Sequence, residues 1–188
     1  MKIRDTVFAA IDFESAGSEP GRTDEPVQIA IVHLQNAETI TPAFVSYLAP
    51  TRPVTWAARA VHGIGDDQLR AAPKLIDVWP QVQSALAGHW VVAHGAATER
   101  RFLRAFPLHA FGPWLDTLAL ARRVFPGLDS HALGDTIRHL HLEAEPEIAR
   151  DGFHWHDAGC DAVASLVLLR HVIRSASLVD EDVSVLVR

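Results

Sequence analysis

The sequence predicts a single α/β domain, and three observations support that class. Its 188 residues are enough for one well-packed core and too few for two ordinary domains with a linker. Three short apolar runs with β-branched residues come first, as in an antiparallel meander. Two further short apolar runs are each followed by a segment with helical spacing. The 48% hydrophobic and 21% charged residues exclude a largely disordered chain.

Five segments are predicted to be strands because they are short, apolar and bounded by turn residues. A loop rich in Gly, Pro, Ser and charged residues separates the first from the second, over residues 15–26. The predicted strands are residues 6–11, 27–34, 40–48, 90–93 and 114–115.

The remaining periodic segments are predicted to be helices because apolar residues recur at three- and four-residue spacing. Ser130 is predicted to cap one of them, since a serine hydroxyl accepts a hydrogen bond from a first-turn N–H. The tail 177–188 has no clear partner and is expected to dock on the body or on another subunit. The predicted helices are residues 57–61, 66–71, 75–86, 97–105, 117–124, 131–140 and 157–174.

Charge and cysteine content limit the function. Seventeen basic against 23 acidic residues give a net charge of −6, which argues against a protein that coats duplex DNA. The single cysteine, Cys160, makes neither an internal disulfide nor a thiolate zinc site, so any metal must bind oxygen or nitrogen. No apolar run approaches the ~20 residues of a membrane span, and the N-terminus is charged too early for a secretory signal. We therefore expect a cytoplasmic protein with no membrane partner.

Asp12 and Glu14 stand two residues apart at the end of the first apolar run. Alternation along a strand places both carboxylates on the same side of the sheet. Like charges on one face repel, and a divalent cation compensates them efficiently. Taken alone, such a pair is more often two solvated acids at a strand end.

Two later segments carry further acids. Glu99 follows the fourth apolar run, where α/β sheets place their sites, although an ordinary first-turn helix acid has the same pattern. His156 and Asp161 flank the start of the last helix, where Asp161 can hold a cation and His156 can take a proton from water. His154 is a competing base. The alternative is that Asp157 caps the helix and the histidines are surface residues.

In this order, the segments resemble the DnaQ-like 3′-to-5′ exonucleases of the DEDDh class, which include the proofreading subunit of bacterial DNA polymerase III. The family motif D-x-E is matched by residues 12–14, H-N-A-x-F-D by 94–99, and H-x-A-x-x-D by 156–161. The family's H-G-I turn is similar to residues 62–64, and its D-T-L-x-x-A-R helix to 116–122. One such motif is weak, whereas three in order over nearly the whole chain are strong.

The second motif departs from the family pattern. Glu99 stands where the family has aspartate, and Gly95 and Thr98 replace an asparagine and an aromatic residue. Glutamate keeps the charge and the oxygen donors but is one methylene longer, so a lower activity or an altered metal preference is expected. The resemblance implies that the aromatic residue contacts the terminal nucleotide, so Thr98 is expected to remove an apolar contact, which leaves the substrate preference open.

The resemblance implies a ribonuclease H-like fold, a five-stranded mixed sheet flanked by helices, with the first strand central and the first three strands antiparallel. It implies an exonuclease domain over residues 1–176, followed by the C-terminal tail 177–188. The implied partners are single-stranded nucleic acid 3′ ends. A DNA polymerase or a second copy of the chain in a homodimer is a further partner known in the family.

The resemblance also implies a mechanism with two Mg²⁺ or Mn²⁺ ions. Asp12 would bridge them, Glu14 and Asp161 would complete the ligand set of the first ion, and Glu99 would support the second ion. His156 would act as general base for the attacking water. The products would be nucleoside 5′-monophosphates released one at a time from single-stranded DNA or RNA.

Other residues are weaker candidates. Side chains at the predicted turns are about as often packed turn residues as ligand contacts, whereas the small residues after Glu14 let a phosphate or sugar approach closely. The arginines of segment 97–105 can attract a nucleic-acid backbone, although such a helix face is usually only solvated. The five tryptophans are predicted to be core residues, with Trp155 kept open as a stacking residue. The substrate-binding candidates are Phe13, Ala16, Gly17, His62, Ile64 and His94.

Two other functions remain open from the sequence. A nucleic-acid or partner-binding module of the same fold would result if the changes at Gly95 and Glu99 had weakened the metal site. A phosphodiesterase for very short oligonucleotides or a small nucleotide conjugate would agree with the acidic net charge.

Overall fold

A computed structural model describes residues 1–21, 23–106 and 110–187 of the chain. At its centre lies one five-stranded sheet. The strands are β1 (Phe8–Ser15), β2 (Pro26–Gln35), β3 (Thr39–Tyr47), β4 (Trp90–Ala93) and β5 (Trp114–Asp116). Their order across the sheet is β3-β2-β1-β4-β5.

The sheet is mixed. β1 pairs antiparallel with β2, and β2 pairs antiparallel with β3, whereas β4 is parallel to both β1 and β5. The predicted five-stranded mixed sheet with a central first strand is therefore confirmed. β1 is longer than the predicted segment 6–11, so Asp12 and Glu14 lie within the strand.

Helices cover both faces of the sheet. Four short 3-10 helices also occur in the described part of the chain, at Ile3–Asp5, Leu75–Val78, Leu142–Ala144 and Val183–Leu186. The α-helices are α1 (Trp56–His62), α2 (Asp66–Leu69), α3 (Trp79–Leu86), α4 (Ala97–Leu103), α5 (Thr117–Val124), α6 (Leu133–His139), α7 (Pro146–Ala149) and α8 (Ala158–Ser175).

Alternation along β1 divides the core in two. Phe8 and Ala10 belong to the cluster that includes the apolar face of α8. Ala9, Ile11 and Phe13 belong to the cluster that includes residues of α3 and α4. Because side chains two apart share a face, Asp12 and Glu14 lie on the α8 side of the sheet. The site is thus set between the central strand and the longest helix.

The tail 177–188 docks on the body of the same chain. The N–H of Ile3 donates to the carbonyl of Glu181 at 3.0 Å, and the N–H of Val183 donates to the carbonyl of Met1 at 2.9 Å. Val183 and Leu186 are buried in the cluster that includes α8. The residue 188 of the predicted tail lies outside the described residues.

Several element boundaries differ from the prediction. The predicted cap at Ser130 is wrong, because α6 begins only at Leu133. The hydroxyl of Ser130 instead donates a hydrogen bond to the Asp135 carboxylate at 2.6 Å. The predicted helix 75–86 begins as a 3-10 turn, and the predicted helices 66–71 and 97–105 end two residues early. α7 and the 3-10 helices lack an amphipathic repeat long enough to be read from the sequence.

Trp56 is also an exception to the predicted core role of the tryptophans. Its side chain is 85% exposed, whereas the other four pack against the two main clusters. Within the described ranges, we find no helix with the length and apolar character needed to cross a membrane.

Candidate active site

β1 supplies the first two carboxylates. Asp12 is paired across the sheet with Ala30 of β2, and Glu14 with Gln28. A small residue opposite Asp12 leaves space above that carboxylate on the α8 side. After Glu14 the pairing register shifts, and the chain leaves the sheet through Ser15.

Gln28 fixes the start of α8 above these acids. Its amide Nε2 donates to Asp157 Oδ2 at 2.7 Å, and its Oε1 accepts the N–H of Ala158 at 3.0 Å. Asp157 in turn caps α8 by accepting the N–H of Cys160 at 3.0 Å. Gln28 is only 3% exposed and was not predicted as a site residue. The one sequence signal for it was a polar residue near the start of an otherwise mostly apolar strand.

α8 and the turn before it supply Asp161 and His156. Glu14, His156 and Asp161 each offer a potential ligand atom, and these atoms lie within 4.8 Å of one another. The backbone of His156 is in the left-handed region with φ of 63°, and its N–H donates to Asp161 Oδ2 at 3.3 Å. The competing candidate, His154, is exposed and its Nδ1 lies 3.1 Å from the carbonyl of Gly152.

Glu99 approaches from the first turn of α4. Its side chain is 5% exposed, and Oε2 has no hydrogen-bond partner within the described residues. The turn before α4 is held by Asp116, which accepts the N–H groups of Gly95 at 2.9 Å and Ala96 at 3.1 Å. Asp116 also caps α5, so one carboxylate joins the ends of β4 and β5. Glu99 lies outside the group of three formed by Glu14, His156 and Asp161.

The electrostatics of Asp12 connect all four acids. Burial raises the pKa of Asp12 well above its ordinary value, and the charges of Asp161, Glu99 and Glu14 raise it further. Burial likewise raises the pKa of Glu14 to about 7, with added repulsion from Asp161 and Asp157.

The other two acids are shifted in the same direction. Burial raises the pKa of Glu99 to about 7, with repulsion from Asp116 and partial relief from Arg101. Burial raises the pKa of Asp161 to about 6, although the neighbouring His156 lowers it. Across the described ranges, no salt bridge joins these four carboxylates to a lysine or arginine. The site therefore concentrates negative charge that the protein leaves largely uncompensated.

This arrangement fits a divalent cation. Asp161 Oδ1 and Glu99 Oε2 are buried without a hydrogen-bond partner in the described structure, although buried polar atoms are normally satisfied. Carboxylate oxygens are the donors that Mg²⁺, Mn²⁺ and Ca²⁺ prefer. A bound cation would satisfy the orphaned oxygens and relieve the repulsion at Asp12.

Two predicted substrate residues, His62 and His94, have both ring nitrogens engaged within the protein. His62 accepts the N–H of Ile64 at Nδ1 and therefore donates from Nε2 to the carbonyl of Ser15, both at 3.0 Å. The ring nitrogens of His94 lie 3.1 Å from Thr117 Oγ1 and 2.9 Å from the carbonyl of His131. Both rings join segments that surround the site.

The remaining predicted substrate-binding residues pack within the fold in different ways. The ring of Phe13 points to the opposite face of the sheet and lies 5.2 Å from the ring of Phe102. Ala16 and Ile64 are buried together in a small cluster. Gly17 has φ of 93°, and a Cβ there would lie 2.2 Å from Thr55 Oγ1. The close approach at Gly17 therefore serves α1 within the fold.

The family model for exonucleases, RNase_T, matches residues 9–169 of the chain. Exodeoxyribonuclease 10 from Escherichia coli K12 is 31% identical over 177 residues, which cover 93% of this chain and 72% of that protein. A DNA polymerase III subunit epsilon-like protein from Rhodobacter capsulatus is 34% identical over 163 residues. That match covers 84% of this chain and only 22% of the relative's length.

The structure agrees with these matches. Exonuclease X, solved in complex with 5′ overhanging duplex DNA, superposes with a TM-score of 0.76 and 26% sequence identity. The superposition covers 96% of this chain and 99% of that one. The predicted resemblance to DnaQ-like exonucleases and the ribonuclease H-like fold are confirmed. This chain is an exonuclease domain and belongs to the RNase_T exonuclease family.

Proposed function

We propose that this protein is a metal-dependent 3′-to-5′ exonuclease that releases nucleoside 5′-monophosphates from single-stranded DNA or RNA. The observation that carries the proposal is the meeting of Asp12, Glu14 and Asp161, with raised pKa values and one orphaned oxygen, beside the His156 imidazole. Names of similar proteins, such as exodeoxyribonuclease 10, support the same reaction class.

In this proposal the four acids would hold two Mg²⁺ or Mn²⁺ ions. Asp12 would contribute to both ions, Glu14 and Asp161 would complete the ligand set of the first ion, and Glu99 would support the second. Bound ions of this kind supply charge stabilisation at the phosphoryl and leaving oxygens of an in-line displacement. Glu99 lies on α4 and is not part of the group formed by Glu14, His156 and Asp161, and its side chain is one methylene longer than the aspartate of the family pattern.

His156 is the proposed general base. Its imidazole is exposed and close to Glu14 and Asp161, so a ring nitrogen can take the proton of the attacking water. The hydrogen bond from its backbone N–H to Asp161 fixes the segment relative to the acids. His62, donating to the carbonyl of Ser15, orders the chain that leaves β1 at the edge of the site.

The proposal extends to partners and location. A DNA polymerase is a proposed partner because relatives of this chain are named as polymerase III components. A cytoplasmic location and self-association into a homodimer are further parts of the proposal. Co-purification with polymerase III subunits, cell fractionation and light scattering test these three statements separately.

The test of activity is a cleavage assay on 5′-labelled single-stranded DNA and RNA with Mg²⁺, Mn²⁺ or EDTA. We expect a stepwise ladder that EDTA and Asp12→Ala abolish, whereas Glu143→Ala, an exposed acid outside the site, retains it. Cutting of dinucleotides alone would favour a phosphodiesterase for short substrates. Binding with no cutting of any substrate would contradict the proposal and favour a non-catalytic module.

A further inference from the structure

Trp56 is the most exposed large hydrophobic residue of the described chain. Its side chain is 85% exposed, and it is the first residue of α1. Ala57 and Ala60, close to it on the helix, are small and exposed as well. Most of the indole surface is therefore open to solvent. An indole buries a large area when it finds a partner, so such exposure marks a candidate contact residue.

α1 is attached directly to the chain segment that follows Glu14. The N–H of Thr55 donates to the carbonyl of Ala16 at 2.8 Å, one residue before Trp56. At the other end of α1, His62 donates to the carbonyl of Ser15 at 3.0 Å. Gly17 approaches Thr55 so closely that a Cβ would lie 2.2 Å from its hydroxyl. These contacts fix the backbone of α1, and with it the position of Trp56 in the chain, beside residues 15–17, which follow the site acid Glu14.

The occupant follows from the charge of the molecule. A net charge of −6 and four clustered carboxylates work against binding a polyanion by electrostatics alone. A strand whose 3′ end reaches Asp12 must run out over the rim of the site, and each of its bases has a π-face. Stacking on an indole contributes affinity that depends little on charge or base identity. Arg59, one helical turn after Trp56, is an exposed cation of the same helix, and its guanidinium lies beside Gly65.

We propose that Trp56 is a stacking platform for a nucleobase of the substrate strand, outside the site that holds the terminal phosphodiester. This inference rests on the proposed exonuclease function and adds a binding contact to it. The role is one of binding, since the indole touches none of the reacting groups.

The test compares Trp56→Ala, Trp56→Phe and Val61→Ala. Val61 is a matched control because it is 55% exposed on another face of the same helix. The first measurement is the binding of a labelled, nuclease-resistant oligothymidylate of about 12 nucleotides, within the usual site sizes for single strands. We expect Trp56→Ala to weaken binding about tenfold, the range for loss of one stacked base, and Trp56→Phe to retain most of the affinity. Val61→Ala should bind as the wild type does.

The second measurement separates this inference from the exonuclease proposal. The p-nitrophenyl ester of thymidine 5′-monophosphate carries a single base, so its hydrolysis should be the same for Trp56→Ala and the wild type. With an oligonucleotide, the same variant should raise KM and leave kcat unchanged. If the wild type cleaves nothing, the exonuclease proposal fails, while the binding assay still decides the role of Trp56.

Two results would overturn the inference. Equal oligonucleotide affinity for wild type and Trp56→Ala would leave the indole as a surface residue or a contact for another protein. A tenfold loss that is much smaller at high salt would indicate charge rather than stacking. Because Trp56 is so exposed, its variants should melt within a few degrees of the wild type.

Discussion

A group of carboxylates lies near each end of α8. Within the described residues, an arginine pairs with the group near the C-terminus, and no lysine or arginine pairs with the group near the N-terminus. Near its N-terminus, Asp161 meets Glu14, and the pKa of Glu14 rises to about 7 because of burial and that neighbouring charge. Toward its C-terminus, the Arg170 guanidinium lies 2.6 Å from Glu147 and 2.9 Å from Glu145. The hydrogen bond from Arg170 lowers the pKa of Glu147.

The difference distinguishes a cluster that stabilises the fold from the cluster of the proposed active site. Arg170 also donates to the carbonyl of Glu38 at 2.9 Å, so its guanidinium ties α8 to the turn between β2 and β3 and to α7. The protein provides the cation where the cluster holds the fold together. At the other end, the described residues place no lysine or arginine on the carboxylates, which supports the proposal that bound metal ions supply the counter-charge there.

The largest expected effect is on turnover. Asp12→Asn should lower kcat by about 10³-fold or more, as is found when one member of a coupled catalytic group is removed. The same change should raise the Tm of the metal-free protein, because it removes a charge that is buried among like charges. Steady-state cleavage and thermal melts in EDTA measure the two effects. Near-wild-type turnover in Asp12→Asn would contradict the assignment of the site.

Arg170→Met should give the opposite pattern. Loss of the guanidinium leaves Glu145 and Glu147 close together, and we expect about 2–3 kcal/mol of destabilisation, less than for a fully buried pair since both acids are partly exposed. Urea unfolding measures the loss. The kcat of the folded protein should stay within about twofold, because Asp161 lies about two and a half turns from Arg170 along α8. A large loss of kcat at temperatures where the variant is folded would show that the two clusters are coupled.

Gln28→Leu tests how precisely the N-terminal cluster is positioned. Without the amide, Asp157 and the N–H of Ala158 lose partners, and the first turn of α8 is no longer fixed to β2. We expect kcat to fall about tenfold, since small displacements of catalytic groups are costly. Gln81→Leu, at an exposed glutamine of α3, is the matched control and should leave kcat unchanged. Equal kcat values for the two variants would show that Asp161 is held by α8 alone.

The smallest effect is on the pH dependence of stability. The carboxyl groups of Glu14, Glu99 and Asp161 titrate near 6–7 in the folded protein and near 4 when unfolded. The folded state thus binds more protons between these values, and these acids lower stability as pH rises from about 4 to 7. Mg²⁺ should raise the Tm by about 2–4 °C at pH 8 and less at pH 5. An equal rise at both pH values, or the same rise in Asp12→Asn, would contradict this explanation.

The sequence was most informative where local periodicity decides the geometry. Strand alternation predicts that Asp12 and Glu14 share a face, and the apolar repeat of residues 157–174 predicts the helix that carries Asp161. Both inferences need only the repeat of one element. The strand order needed the family resemblance as well, since pairing between distant strands leaves no local signal.

Contacts between distant residues were out of reach. Gln28 bonds to Asp157 across 129 positions, and neither residue shows by its neighbours that the other is its partner. Similarly, Ser130 has the local pattern of a helix cap, but its hydroxyl donates a hydrogen bond to Asp135 and α6 begins three residues later. The exposure of Trp56 was also not predictable, because it depends on how distant segments pack around α1, and the composition of the chain does not show that.

The backbone of His156 has a consequence for engineering. A φ of 63° lies in the left-handed region, which costs a residue other than glycine of order 1 kcal/mol. Glycine adopts that conformation without a steric cost. Replacing His156 by glycine should therefore relieve this cost while removing the proposed general base. Selection for thermostability alone would tend to discard this histidine, so libraries built for robustness should hold position 156 fixed.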